Sequence, residues 1–126
     1  MARDAAPVGF RGDFGVVSCP SVVVLCPSDV DALRALFDRL IEQMNLHPVG
    51  EAQWHQFPGG GITGLALLQE SHIACHTFPE HRSLCLNVFC CRPRPDWDFE
   101  TYLRREFGAV SVGVRRLNRP YEHTNI

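Results

Sequence analysis

The sequence predicts an α+β fold: a two-layer sandwich in which an antiparallel sheet carries two main helices on one face. Three observations predict it. Apolar residues recur with a helical period in only two stretches. Short apolar or alternating runs, punctuated by Gly and Pro, fill the middle of the chain. Most of these runs lie close enough together to be joined as hairpins. At 126 residues, with 45% of them hydrophobic and 21% charged, the chain has the size and composition of one globular domain with a single core.

Taken in order, residues 1–13 are polar with scattered Gly and Pro and read as a flexible N-terminal arm, leaving residues 14–126 as the domain. Residues 15–17 and 22–25 are two short apolar runs on either side of Pro20, the second with the character of a buried strand. A helix follows. Ser28 suits its N-cap, Asp29 and Asp31 its first turn, and Leu33, Leu36, Phe37, Leu40, Ile41 and Met44 form one apolar stripe that stops near Asn45, before Pro48. Residues 52–57 and 62–68 read as strands joined across Pro58-Gly59-Gly60-Gly61, and residues 71–77 and 83–90 as a second pair joined around Pro79-Glu80-His81-Arg82. Phe99, Leu103 and Phe107 recur every fourth residue in a short helix ending at Gly108, and the alternation of Val110, Val112 and Val114 predicts a last strand.

Several function classes are disfavoured at once. A net charge of -2 and a pI near 6.3 argue against general nucleic-acid binding. No apolar run approaches the roughly 20 residues of a transmembrane helix, and residues 1–13 lack the apolar core of a signal peptide, so a cytoplasmic protein without membrane contact is expected. With a core available and no export signal, the six cysteines are expected to be mostly small buried hydrophobes rather than a disulfide framework.

Residues 70–91, ESHIACHTFPEHRSLCLNVFCC, concentrate a serine, histidines, carboxylates and cysteines. Zinc ligation calls for paired ligands across tight turns, and no such pair of pairs is present, so no metal is expected. A cysteine nucleophile beside a histidine base is chemically open, but no local hydrolase signature supports it. Strand geometry says more. In a hairpin turning about residues 80 and 81, cross-strand partners have numbers summing to about 161, which sets Ser71 beside Cys90 or Cys91 and His76 beside Cys85. Ser71 and His76, five apart, face opposite sides of a flat strand, so their cooperation needs a bend, a bulge or a break in the chain.

Glu70-Ser71-His72-Ile73, His76-Thr77-Phe78-Pro79-Glu80 and Val88-Phe89-Cys90-Cys91 resemble the signature of the small prokaryotic S-adenosylmethionine decarboxylase proenzymes, with Cys91 at the family's spacing from the serine. His55-x-Phe57 and Thr63-Gly64 are similar to the family's upstream H-x-F and S-G, and the likeness covers about residues 28–117. The resemblance implies a pyruvoyl enzyme of polyamine biosynthesis. Ser71 would attack the Glu70 carbonyl, the amide would become an ester, and elimination would cut the chain between 70 and 71, leaving a pyruvoyl group derived from Ser71. That ketone forms a Schiff base with the substrate amine and serves as the electron sink that no ordinary side chain provides. It further implies that His76 assists proton movement in self-processing and that Thr63 supplies the hydroxyl that holds the processing intermediate. Cys91 would return a proton to the α-carbon, Phe57 and Phe78 would flank an adenine ring, and Glu80 would meet ribose hydroxyls. The expected partners are a small amino-acid-type substrate, S-adenosylmethionine first, and a second cleaved copy in a homodimer with sites near the subunit interface. Three departures stand out: Asn87 replaces an aspartate, His81-Arg82 replaces a Gly-containing turn, and the family's G-R-H-L-like N-terminal strand is missing. The same chemistry on L-arginine or L-ornithine, and a non-enzymatic binding or zinc-sensing domain, are the competing readings.

Overall fold

The computed structural model describes residues 10–18, 30–69 and 71–118. Its first helix, α1 (Val30–Gln43), buries Leu33, Leu36, Phe37 and Leu40, the stripe that its periodicity predicts. It ends because Asn45 takes a left-handed conformation, φ 56°, and the Leu46 amide turns back to the Ile41 carbonyl at 2.9 Å. The second helix, α2 (Phe99–Phe107), starts where the Asp98 carboxylate accepts from the Thr101 amide and hydroxyl, at 3.1 and 2.7 Å. It stops at Gly108, also left-handed at φ 67°. Both helices bury their apolar sides in one cluster with Ile62, Ile73, Leu84, Leu86 and Val88 of the sheet, so they share one face of it.

The sheet is antiparallel. Its strands are β1 (Phe10–Ser18), β2 (Gln53–Gln56), β3 (Ile62–Leu67), β4 (Ser71–Phe78), β5 (Ser83–Arg94) and β6 (Gly113–Asn118), in the spatial order β2-β3-β4-β5-β1-β6. Hairpins join β2 to β3 and β4 to β5, as expected, and β3 to β4. The β2–β3 turn closes with the Phe57 amide on the Gly61 carbonyl at 2.7 Å and passes through Gly60 at φ 100°, a conformation that suits only glycine.

Two expectations need correction. Residues 10–13 belong to β1, whose backbone pairs with β5 on one side and β6 on the other, rather than to a loose arm. The last strand begins at Gly113, not near Val110, which is 63% exposed. The cause is the end of α2: Arg104 Nη1 donates to the Val110 carbonyl at 2.8 Å and holds that segment out of the ladder. The β5–β1 register also shifts between Phe10 and Gly12, alongside Pro93, which has no amide hydrogen to donate. The apolar run at residues 22–25, the Ser28 cap, Cys19, Cys26 and Glu70 lie outside the described residues. Among the described residues no helix is long and apolar enough to cross a membrane.

The β4–β5 connection is a 3-10 turn, Pro79–His81, closed by Arg82 in the left-handed region at φ 48° and ψ 48°. A side chain there costs about 1–2 kcal/mol, partly offset by the entropy glycine loses on folding. Arg82→Gly is therefore expected to stabilise the protein by about 0.5–1 kcal/mol in urea unfolding. No gain would mean that the arginine side chain makes a compensating contact.

Candidate active site

Because side chains alternate along a strand, the face of the sheet away from the helices carries Thr63, Leu65 and Leu67 of β3. It also carries His72, His76 and Phe78 of β4, and Cys85, Asn87, Phe89 and Cys91 of β5. No described helix covers this face, and Leu65 and Leu67 are 46% and 58% exposed on it. At its β2 end lies a cleft of about 440 Å³, within the usual size of a small-molecule site. Phe57, Thr63, His76, Phe78 and Glu80 line it, which brings together five of the residues singled out in the sequence.

The register explains how they meet. Thr63 pairs with His55 on one side and His76 on the other, and His76 pairs with Cys85, so His55, Thr63, His76 and Cys85 form one row across four strands. Thr63 Oγ1 lies 3.1 Å from His76 Nδ1. That bond fixes the imidazole plane and leaves Nε2 as the nitrogen able to exchange a proton with a group entering the cleft. The rings of His55 and Phe57 meet edge to face with centroids 4.6 Å apart. Beneath the cleft, Thr77 is buried and its hydroxyl accepts from the Ile62 amide at 2.9 Å, which binds the start of β3 to the end of β4.

Gly64 marks a close approach on the opposite face. A Cβ there would lie 2.3 Å from a ring carbon of Trp54, which packs against Phe37 of α1 with centroids 4.8 Å apart. The glycine following Thr63 thus leaves room for the indole that joins the helix layer to β3 behind the cleft.

Ser71 stands elsewhere. The β4–β5 ladder runs unbroken from Ser71↔Cys90 to Phe78↔Ser83, with no bulge. Five residues at about 3.3 Å each separate Ser71 from His76 by about 16 Å along β4, on opposite faces. Of the two neighbours expected for Ser71, its rung partner is Cys90, fully buried in the core; Cys91 is exposed on the other face, as His76 is. Within one chain, then, Ser71, His76 and Cys91 are not brought together. The Ser71 carbonyl accepts from the Leu68 amide at 2.9 Å, so the peptide after Ser71 is held across the loop by the segment before it. Cys75 is also core: burial pushes its thiol up to about 12, which suits packing rather than nucleophilic chemistry. Among the described residues no three His, Cys, Asp or Glu side chains gather as a metal site.

The sequence reading missed the roles of Thr77, Trp54 and the partners of His72. A buried hydroxyl next to a motif histidine, and a tryptophan aligned with a strand glycine, are the signals that could have pointed to the first two.

Comparison with known proteins gives a consistent set of relatives. A family model described as S-adenosylmethionine decarboxylase matches residues 23–120. An S-adenosylmethionine decarboxylase proenzyme of Carboxydothermus hydrogenoformans is 36% identical over 72 residues, 56% of this chain and 57% of that one. The proenzyme of a Sulfurihydrogenibium species is 39% identical over 71% of this chain and 63% of its own length. That of Picrophilus torridus is 30% identical over 73% and 71%. Matches to the first relatives thus span less than two thirds of their length. In fold, the chain is similar to the crystal structure of an adenosylmethionine decarboxylase from Aquifex aeolicus, with a TM-score of 0.60 and 21% identity over 93% of this chain and 99% of that one.

Proposed function

This chain belongs to the S-adenosylmethionine decarboxylase family, and we propose that it is a self-processing, pyruvoyl-dependent decarboxylase acting on S-adenosylmethionine in cytoplasmic polyamine biosynthesis. The observation that carries this reading is the cleft, where an aromatic pair, a carboxylate and a hydroxyl-bound imidazole converge from three segments of the chain. Phe57 and Phe78 offer ring faces for adenine, and Glu80 offers acceptors for ribose hydroxyls. The Thr63–His76 pair moves a proton when Ser71 Oγ attacks the Glu70 carbonyl carbon. The C–N bond breaks as the ester forms. Elimination then releases the 70-residue piece as a carboxylic acid, and one water replaces the nitrogen, which leaves as ammonia.

Residue 71 fits the pyruvoyl group that this processing leaves: it opens β4, is half-buried, and has its carbonyl held by the Leu68 amide. Once formed, that group supplies an electron sink for the carbanion of decarboxylation. Cys91 delivers the proton that the α-carbon then needs.

The distance between Ser71 and His76 favours a site shared by two copies. Two sheets packed on their bare faces about a two-fold axis would cover Leu65 and Leu67. They would also bring Cys91 of one chain towards the Thr63–His76 pair of the partner, and Ser71, which faces the helix side, would join them by opening the single end rung that it forms with Cys90.

Denaturing mass spectrometry and CO2 release test the reading together. Wild-type protein is expected to split into pieces of 70 and 56 residues and to release CO2 from S-adenosylmethionine, while Ser71→Ala stays whole and inactive. Full-length wild-type protein that is active would sink the pyruvoyl mechanism. Release from L-arginine or L-ornithine alone would overturn the substrate.

A further inference from the structure

His72 directly follows the residue that would carry the new terminus, and two contacts bind its side chain to β5. Its Nε2 lies 3.2 Å from Asn87 Oδ1, and its ring stacks on Phe89 with centroids 5.8 Å apart and planes 28° from parallel. Both contacts are on the bare face of the sheet, away from the cleft. Asn87 Oδ1 can only accept, so Nε2 carries the proton.

Resting on the processing proposed above, we infer that His72, Asn87 and Phe89 form a positioning clamp that keeps the newly cut end of β4 in register. A strand that begins at a chain end frays from its first rung, because the peptide that tethered it is gone. Here that first rung is Ser71↔Cys90, which would carry the new terminus. Each contact crosses to β5, so both survive cleavage, whereas the covalent link through residue 70 does not. The clamp also gives Asn87 a purpose. An aspartate there would accept the same bond.

The test uses the full chain as it processes itself. Asn87→Ala is expected to cut as completely as wild type by mass spectrometry. In the cut protein, hydrogen exchange at the His72 and Ile73 amides should quicken about 2- to 12-fold, as loss of one hydrogen bond implies. kcat should fall by a similar factor with KM unchanged, and Asn87→Asp should restore both. His72→Phe, which keeps the stack and loses the bond, should match Asn87→Ala in exchange and serves as the second variant if the first does not fold. Cut protein in which both variants exchange like wild type would overturn the clamp and leave the decarboxylase reading standing. A failure of Asn87→Ala to cut would also overturn it, by moving the pair into processing. Uncut wild-type protein would defeat the underlying reading as well.

Discussion

Co-producing Ser71→Ala and His76→Ala chains is expected to restore cleavage that neither variant supports well alone. Ser71→Ala has no nucleophile. On the proposed mechanism, His76→Ala lacks the group that moves the proton, a role usually contributing about 10²–10⁴-fold. Ser71 and His76 lie on opposite faces of one unbroken strand, so a chain that processed itself would have to break its own β4–β5 ladder. A shared site reduces that requirement to the end rung Ser71↔Cys90, because the histidine to be met is then the partner's. In a mixed dimer, one of the two sites combines an intact Ser71 with the partner's His76, and the other site lacks both groups. With random pairing at equal amounts, about half of the His76→Ala chains should be cut and none of the Ser71→Ala chains. Mass tags on the two variants distinguish them. An uncut mixture would return the chemistry to a single chain and demand a rearrangement at the start of β4.

Cys91→Ser should cut normally and then turn over about 10²–10⁴-fold more slowly, because a hydroxyl is a far poorer proton donor than a thiol. The thiol is exposed on the bare face, where a second copy would meet it. Failed delivery to the α-carbon diverts the proton to the wrong atom, so the variant should also inactivate during turnover. A loss below tenfold would mean that another group is the acid. Cys90→Ala is the control. It is buried on the helix side opposite Ser71, so its removal should lower stability and leave the chemistry intact.

Local order was legible in the sequence wherever neighbours along the chain decide it. The stripe of α1, the Gly108 stop of α2 and the turns around Gly60 and Pro79 are set by side-chain period and backbone preference within a few residues. The rung pairing of His76 with Cys85 followed from counting across a tight turn, and so did the opposition of Ser71 and His76. The motif resemblance picked out Phe57, Thr63, Phe78 and Glu80 one by one. Only the tertiary structure decided that they share a cleft, because that depends on β2, β3 and β4 lying side by side in one register.

The N-terminal strand was missed for a related reason. Residues 10–13 carry no alternating apolar signal, and their strand conformation comes from two neighbours distant in sequence, β5 and β6. The fit of Trp54 over Gly64, and the meeting of His72 with Asn87, likewise join residues whose numbers give no hint of contact. By itself the sequence determined the two helices, the four central strands with two of their hairpins, and the chemical types available, since propensity and periodicity act over short range. The tertiary structure decided which face the helices cover and which is left bare. That choice depends on how the whole sheet buries its apolar side, and here it separates Ser71 from His76.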